Sequence, residues 1–276
     1  MKRIVFFILL VLSKLHAQQI DKPRNLVIPE ASISATSATL LWDKPLEYKD
    51  VIAYQIFQNG KLIGTSSKTN FTANNLSANK KYSFSIKAIN KANRISVASN
   101  IVKCKTKSVG KTFNVVDFGA VGDGKTKNTI AIQKAIDACT KGGKVYIPAG
   151  TFLSGALYLK SDMTLYLEDG ATLKGTTDVD DYYPLILNRF EGWEMKTLAS
   201  LINAGTLNRD GSFNIKNLSI AGKGTIKGGG STLGAAMIKK EGIRGRGRLI
   251  CIMNAENVNI QGLNIEDAPC WTIHYI

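Results

Sequence analysis

Adjacent acidic residues could do chemistry in this 276-residue sequence, because two neighbouring carboxyl groups can divide acid and base roles between them. The pairs are Glu168-Asp169, Asp180-Asp181 and Glu266-Asp267. Gly170 follows the first pair, a Tyr-Tyr-Pro run follows the second, and an Ala-Pro step follows the third. We therefore predict solvated turns and no catalytic role for them. Asp123, within a Gly-Asp-Gly segment, is predicted to occupy a turn and to cap the helix that follows.

A second group of residues could bind an acidic sugar. Arg244, Arg246 and Arg248 can each offer a hydrogen-bonding fork to a carboxylate. Trp271 and His274 follow further along the chain and could contact a sugar ring. Two other interpretations stay open, which are a solvated basic loop for the arginines and a core or strand-ladder role for the Trp and the His.

The sequence is strongly basic, with 36 Lys and Arg residues against 21 Asp and Glu residues and a net charge of +15. Most of the excess lies in residues 18–108, which hold 14 basic and 5 acidic side chains. Such a charge suits a nucleic acid, an anionic membrane surface or an acidic polymer, and the total does not choose among them. The composition, 44% hydrophobic with 25 Gly and 6 Pro, excludes a collagen-like or disordered chain.

The sequence offers no metal site. Its cysteines are scattered without the spacing of a metal centre or a disulfide framework, at Cys104, Cys139, Cys251 and Cys270. We expect buried thiols, with a disulfide as the alternative. Beyond residue 17 the single histidine is His274, so we predict neither a bound metal nor a cofactor.

Residues 1–17 have the pattern of a secretory signal peptide. Lys2 and Arg3 precede an apolar run over residues 4–12, which is shorter than the roughly 20 residues that a membrane-spanning helix needs. Polar and small residues follow, up to Ala17. We expect cleavage after Ala17, an exported protein that is periplasmic or secreted, and no membrane anchor once the leader is removed.

Residues 18–108 are predicted to form a β-sandwich, because short alternating strands follow one another with turn residues between them. Trp42 lies on an early strand, Asn59-Gly60 is a strong hairpin signal, and Tyr82 opens a late strand in the manner of a tyrosine corner. In these packing positions the segment resembles a fibronectin type III domain. That resemblance implies a fold and no chemistry.

Residues 109–276 follow a different pattern. Apolar residues at helical spacing predict one helix over residues 129–140. Short strands with Asn and Gly turns then repeat, as in 163–175, 213–228 and 258–265, which predicts the stacked coils of a parallel β-helix. An antiparallel sandwich is the alternative. The predicted fold is therefore all-β, a fibronectin type III-like sandwich followed by the N-terminal coils of a right-handed parallel β-helix with one leading α-helix.

Most of residues 113–276 resemble the polygalacturonases of glycoside hydrolase family 28, over the stretches 113–139, 142–184, 200–230 and 246–274. The Gly-x-Gly-Thr-Ile-x-Gly step and the Trp-Thr-Ile-His segment make the resemblance to this family more specific. With a sandwich ahead of the β-helix and the RGRGRL stretch at 244–249, the chain resembles the bacterial exo-acting branch. The sequence departs from the family at Lys127-Asn128 and Lys227, where acidic residues are usual. The resemblance implies a hydrolase that cleaves α-1,4-galacturonosyl bonds with inversion. Its partner would be pectin or polygalacturonate and no nucleic acid, and the full-length protein would be a monomer.

The motifs that carry catalysis in that family are missing from these residues. The family uses an N-T-D-G-x-D segment, a following D-D pair, a G-H-G histidine and an R-I-K pair, which by resemblance would follow His274. We therefore expect these motifs beyond Ile276, and a truncated chain that is inactive alone. Substrate contacts are predicted from His274, Trp271, Arg246 and Arg248. The alternatives are a non-catalytic module that binds acidic polysaccharide and a lyase or epimerase of the same fold.

The leader generates a first testable prediction. When the full chain is expressed in a bacterial host with an active secretion system, the exported protein should begin at Gln18. Edman sequencing or intact-mass measurement of the exported fraction checks this. A protein that stays in the cytoplasm and retains Met1 would contradict the assignment of residues 1–17 as a cleaved leader.

Overall fold

The computed structural model describes residues 20–276, so the predicted leader at residues 1–17 lies outside the described residues. The described chain forms two compact units. Within it, the first unit comprises residues 20–29, 37–76 and 80–105, and the second comprises residues 30–36, 77–79 and 106–276. Each unit has its own set of strands.

The first unit is a β-sandwich of antiparallel strands. They are β1 (Arg24–Val27), β2 (Ala38–Asp43), β3 (Val51–Gln58), β4 (Lys61–Ser66), β5 (Asn70–Ala73), β6 (Lys81–Asn90) and β7 (Val102–Lys105). They pair into two sheets, in the orders β1-β2-β5 and β4-β3-β6-β7. Trp42 of one sheet meets Tyr54 of the other edge to face, with ring centroids 5.2 Å apart. The sandwich expected from the sequence is confirmed.

The hairpin predicted at Asn59-Gly60 joins β3 to β4. Asn59 and Gly60 have φ angles of 48° and 80°, so both adopt the left-handed conformation that a two-residue hairpin turn requires. The Asn59 side chain also accepts a hydrogen bond from the Ser83 N–H at 2.9 Å. The turn is therefore tied to the neighbouring strand β6.

The second unit is a parallel β-helix. Its strands are β8 (Thr112–Asn114), β9 (Asp123–Lys127), β10 (Gly143–Ile147), β11 (Gly150–Ser154), β12 (Leu157–Leu159), β13 (Met163–Leu167), β14 (Ala171–Gly175), β15 (Ile186–Phe190), β16 (Trp193–Thr197), β17 (Ile202–Ala204), β18 (Ile215–Gly222), β19 (Thr225–Lys227), β20 (Ile250–Ile252), β21 (Ala255–Gln261), β22 (Asn264–Glu266) and β23 (Ile273–Tyr275). The three parallel sheets run β8-β10-β13-β18-β21, β9-β11-β14-β19-β22 and β12-β17-β20-β23. Because the chain visits these sheets in turn, the antiparallel alternative is wrong.

Successive coils of the β-helix stack in register. In the first sheet, the pairing of β10, β13, β18 and β21 places four apolar residues above one another: Val145, Leu165, Ile220 and Ile260. The first three have no exposed surface. Burying each such side chain contributes roughly 1.5–3 kcal/mol, so these columns are the main source of stability in this unit.

A ladder of polar side chains crosses the first sheet, at Asp162 just before β13 and at Asn217 and Asn257 within β18 and β21. Asp162, Asn217 and Asn257 all have positive φ angles, between 55° and 58°. The Asn257 amide donates to Asn217 at 3.2 Å, and the Asn217 amide donates to Asp162 at 2.8 Å. Asn and Asp tolerate the left-handed conformation, which explains why they recur at this point of the repeat. These hydrogen bonds connect the same position of three successive coils.

The helix expected over residues 129–140 is α1 (Thr129–Ala138); Asn128 occupies its N-cap position, and the prediction that Asp123 caps it is wrong. Asn128 makes no capping bond, because its side chain accepts from the Val121 N–H at 2.7 Å and donates to the Val121 carbonyl at 2.9 Å. Asp123 accepts instead from the N–H groups of Lys125 and Thr126, at 2.9 and 2.8 Å. These bonds stabilise the carboxylate and lower the pKa of Asp123 to about 2.

Two excursions leave the stack of coils. The antiparallel hairpin β15-β16 lies between β14 and β17, and the helix α2 (Gly230–Glu241) lies between β19 and β20. The sequence predicted one helix only, and α2 was missed because three glycines at 228–230 conceal the start of its helical pattern. Among the described residues, no helix is long and apolar enough to cross a membrane.

Close stacking generates a second prediction, at Gly222. Its φ is +136°, and a Cβ there would lie 1.9 Å from the Leu167 carbonyl oxygen of the preceding coil. Gly211 also has a positive φ, +76°, but a Cβ there would meet nothing within 4 Å. We expect Gly211→Ala to lower the free energy of unfolding by about 1–2 kcal/mol through backbone strain alone. Gly222→Ala should cost at least about 2 kcal/mol more because the coils must separate. Urea unfolding of both variants checks this, and equal losses would contradict the close approach.

Candidate functional site

The third sheet carries a row of larger side chains that spans its four strands. The strand register aligns Tyr158 with Asn203, Asn203 with Cys251, and Cys251 with His274. The middle of this row is covered by the β15-β16 hairpin, where the Asn188 amide nitrogen lies 3.4 Å from the Cys251 sulfur. The two ends of the row remain accessible, since Tyr158 is exposed and His274 is half-buried.

An aromatic stack forms where the hairpin meets the last of these strands. The rings of Phe190 and Trp271 lie nearly parallel, at 17°, with centroids 4.8 Å apart. The His274 ring then meets Trp271 edge on, at 5.3 Å and 88°. Trp271 nevertheless keeps 40% of its surface exposed. The stack therefore fixes the orientation of an indole ring that is still open to solvent.

Arg248 is buried beside this stack, with no exposed surface. Its guanidinium carbon lies 4.9 Å from the Phe190 ring centroid and 5.3 Å from that of Trp271. Its terminal nitrogens donate to the carbonyl oxygens of Arg246 and Arg189, both at 3.0 Å. Within residues 20–276 no carboxylate lies within ion-pairing distance of it, and its Nε has no hydrogen-bond partner. Aromatic faces and carbonyl oxygens thus hold this cation where an acidic side chain is the usual partner.

The electrostatics of the cluster keep His274 neutral. Burial, together with the positive charges of Arg248 and Arg189, lowers the pKa of His274 to about 4. Its buried Nδ1 has no hydrogen-bond partner within the described chain. Burial also lowers the pKa of Arg248. A neutral imidazole can both donate and accept a hydrogen bond.

A cavity of about 460 Å³ lies beside the hairpin and the end of α2. It is lined by Phe190, Glu191, Glu241, Gly242, Ile243, Arg244 and Arg246. Arg244 Nε lies 3.8 Å from a Glu191 carboxylate oxygen, and Arg246 donates to the Ile243 carbonyl at 2.9 Å. Of the predicted arginines, Arg244 and Arg246 therefore line an open cavity, whereas Arg248 lies in the interior.

Phe190 and Arg189 were not predicted as part of this site, since nothing around them in the sequence resembles a binding motif. They reach it because the β15-β16 hairpin folds onto the third sheet. Arg189 is paired with Glu194 at 3.0 Å, and Arg209 approaches the other oxygen of the same carboxylate at 2.7 Å. The hairpin is thus anchored by charge on one side and by aromatic stacking on the other.

The acidic pairs contact lysines or a tyrosine, but only Glu168-Asp169 lies at a turn. Asp180 and Asp181 lie in a short 3-10 helix (Val179–Tyr182) and Glu266 ends β22, and the Asp181 side chain is only 15% exposed, so the solvated turn predicted for Asp180-Asp181 is wrong. Asp181 binds Lys127 at 2.6 Å, and Asp180 binds Lys240. Lys227 lies 3.0 Å from Asp267 and also pairs with Glu266, while Tyr146 donates to Glu168 at 3.2 Å. Lys127 and Lys227 are the two basic residues that depart from the family pattern, and both neutralise one of these pairs.

The cysteines and the acidic residues make no metal centre in the part of the chain that the structure describes. All four cysteines are free thiols, so the disulfide alternative is wrong, and Cys104, Cys139 and Cys251 are buried. Burial raises the pKa of each of these three thiols. Among residues 20–276 no group of His, Cys, Asp and Glu side chains is arranged to hold a metal ion.

These features define a class of protein, one in which a fibronectin type III sandwich precedes a parallel β-helix with an aromatic and cationic cluster on one sheet. Residues 112–266 match the family model of rhamnogalacturonase A/epimerase, pectate lyase-like proteins, and residues 21–103 match that of the fibronectin type III domain. The chain belongs to the rhamnogalacturonase A/epimerase, pectate lyase-like family.

Several proteins similar to this chain are named as galacturonosidases or polygalacturonases. The chain is 38% identical over 237 residues to the exo-poly-alpha-D-galacturonosidase of Dickeya chrysanthemi, which covers 75% of this chain and 39% of that protein. A probable polygalacturonase of Vitis vinifera is 31% identical, over 63% of this chain and 35% of that protein. The family 28 exopolygalacturonase of Yersinia enterocolitica superposes with a TM-score of 0.82 and 31% identity, over 90% of this chain and 56% of that one. The chain spans about two fifths or less of the length of these curated relatives.

A third prediction follows from the charges around His274. Arg189→Gln should raise the pKa of His274 from about 4 towards 6.5, because it removes one of the cations that disfavour the imidazolium. Arg209→Gln is the matched control, since it removes a cation from the same Glu194 carboxylate without facing His274. An NMR titration of the imidazole signals measures both values. Equal shifts in the two variants, or none in either, would contradict the described electrostatics.

Proposed function

We propose that the protein is an exported, pectin-degrading glycoside hydrolase of the polygalacturonase type, which hydrolyses α-1,4-galacturonosyl bonds with inversion and acts from chain ends. The named activities of the Dickeya and Yersinia relatives support the substrate and the exo action. The pattern of residues 1–17 supports export. The coils of the β-helix supply the surface on which the polysaccharide is held.

The observation that carries this proposal is the exposed face of Trp271, fixed by its stack on Phe190. A sugar ring presents a face of C–H groups that packs against an aromatic ring, and Trp offers the largest such surface. Because the indole is already oriented, little conformational entropy is lost when the sugar binds. Trp271 is therefore proposed as the platform for one uronate residue.

Three polar residues complete the proposed site in different ways. His274, neutral at pH 7, exchanges hydrogen bonds with sugar hydroxyls. Arg246, at the cavity, binds a uronate carboxylate through its guanidinium. Arg248 is a positioning residue, because its terminal nitrogens are engaged by carbonyl oxygens and it acts through the rings that it contacts. This role differs from the direct substrate contact expected from the sequence.

Binding and cleavage are separable in these 276 residues. Inverting hydrolysis needs one carboxyl that stays protonated and a second, about 6.5–9.5 Å away, that activates water. The N-T-D-G-x-D, G-H-G and R-I-K motifs are not in this sequence, and lysines hold most of its acidic pairs. We therefore propose that this chain alone binds polygalacturonate without cutting it. The same observation favours a second candidate function, a non-catalytic module for acidic polysaccharide.

A fourth prediction tests the site. The full chain should bind trigalacturonate in isothermal titration calorimetry, and Trp271→Ala should weaken that affinity about tenfold or more, as expected for an aromatic anchor. Phe213→Ala is the matched control, because Phe213 is a 50% exposed aromatic residue outside the stack. Equal affinities for both variants would contradict a platform at Trp271.

A reducing-end assay on the same samples separates the two candidate functions. The chain alone should release no reducing ends from polygalacturonate. Measurable release would show that cleavage needs only these residues, and the proposed separation of binding from catalysis would then be wrong. If the chain did not bind trigalacturonate at all, both candidate functions, the hydrolase and the non-catalytic binding module, would be contradicted.

A further inference from the structure

The four-stranded sheet of the first unit carries an uncompensated positive charge. Its strands β3, β4, β6 and β7 contain no acidic residue, but they contain Lys61, Lys81, Lys87, Lys103 and Lys105. Elsewhere in this unit a lysine does have an acidic partner, since Lys91 lies 3.5 Å from Asp50. Within the described chain, none of the five sheet lysines forms an ion pair. The charge of this sheet is therefore not neutralised by the protein itself.

The strand register concentrates three of these lysines on the solvent face of the sheet. Lys81 is directly opposite Lys105, and Ser83 is directly opposite Lys103. Opposed residues have Cβ atoms about 5 Å apart, and residues two apart on one strand are about 7 Å apart. The inward residues Phe84 and Cys104 are buried, whereas all three lysines are exposed. Like charges placed so close repel each other, and an anion between them would relieve that repulsion.

The same lysines line a groove rather than a flat surface. The groove has a volume of about 480 Å³ and is lined by Asn59, Lys81, Tyr82, Ser83, Lys103, Cys104 and Lys105. The Asn59 carboxamide oxygen accepts hydrogen bonds from the Ser83 N–H at 2.9 Å and from its hydroxyl at 3.2 Å. This pairing fixes the Asn59 side chain in the hairpin turn and leaves its NH₂ group as a donor. The groove thus combines three ammonium groups with neutral hydrogen-bonding groups.

We infer that this lysine groove is a second binding site for an anionic uronate polysaccharide, on the fibronectin type III domain. A polyuronate presents a carboxylate on each sugar and hydroxyls between them, which matches lysines separated by Ser83 and Asn59. The role is to hold the polymer and involves no bond cleavage. This inference takes its ligand class from the proposed function but uses residues of a different unit.

A uronate chain fits this groove better than a nucleic acid. Proteins that bind single strands without sequence preference stack the bases on exposed aromatic rings. The aromatic ring on the solvent face of this sheet, Phe57, has the Lys87 ammonium 5.2 Å from its centroid, so its face is occupied. Tyr82 is the one aromatic residue among those that line the groove, so the groove offers no succession of rings on which several bases could stack.

The test uses the full chain and two charge-matched triple variants. The groove variant is Lys81→Gln, Lys103→Gln, Lys105→Gln, and the control is Lys22→Gln, Lys49→Gln, Lys68→Gln, which removes three exposed lysines of the same unit outside the groove. Affinity electrophoresis in gels containing polygalacturonate measures the binding. The groove variant should lose about tenfold in affinity, as expected for three exposed charge contacts, and the control should change less than twofold.

Further probes distinguish the possible outcomes. Fully methyl-esterified pectin, which lacks free carboxylates, should not be retained through the groove, and poly(dT) should be retained equally by both triple variants. Equal losses in the two variants, or a groove-dependent loss for poly(dT) but not for polygalacturonate, would overturn the inference. All measurements are repeated with Trp271→Ala. If the groove variant still loses affinity for polygalacturonate when it is combined with Trp271→Ala, the second site is supported. This holds even if trigalacturonate does not bind at Trp271.

Discussion

The in-register stacking of coils is the constraint on which the rest of the second unit depends. Val145, Leu165 and Ile220 lie above one another because the strands pair in parallel without slipping. A slip of one residue would turn every apolar side chain outwards, so the register is strongly fixed. The Asp162–Asn217–Asn257 ladder connects the same position of successive coils by hydrogen bonds. Because each coil starts at a defined place, excursions such as the β15-β16 hairpin can be inserted without disturbing the core.

The β15-β16 hairpin covers Arg248, which lies in the interior of the protein without an acidic partner among the described residues. Removing a guanidinium from water is costly, and Arg248 recovers part of that cost from two carbonyl oxygens and two aromatic rings. The arrangement links three segments that are distant in sequence, since the carbonyls belong to Arg189 and Arg246 and one of the rings to Trp271. The uncompensated charge also acts on His274, whose protonation it opposes. One buried side chain therefore contacts the indole and adds to the effect of burial that keeps the imidazole neutral.

The sequence was sufficient for features that depend on local pattern, and insufficient for those made by distant segments. The Asn59-Gly60 turn, α1 and the repeated strands follow from left-handed residues and from apolar periodicity. The helix α2 was missed because glycines obscure its start, and the cap predicted at Asp123 failed because its carboxylate accepts from the N–H groups of Lys125 and Thr126. The burial of Arg248 could not be predicted from the residues around it in the sequence, because it depends on the distant hairpin that contributes Phe190. The lysine partners of the acidic pairs are equally remote in sequence.

The coil stack also determines how this unit responds to damage. Each coil of the β-helix contacts only the coil before it and the coil after it, so its stability is a sum of terms between nearest neighbours. A defect in one coil is therefore not shared evenly over the unit. Its effect decays over a coil or two, and the distant coils can retain their hydrogen bonds while the damaged one opens. Functional insertions can accumulate at single coils for the same reason, because each is tolerated or rejected locally.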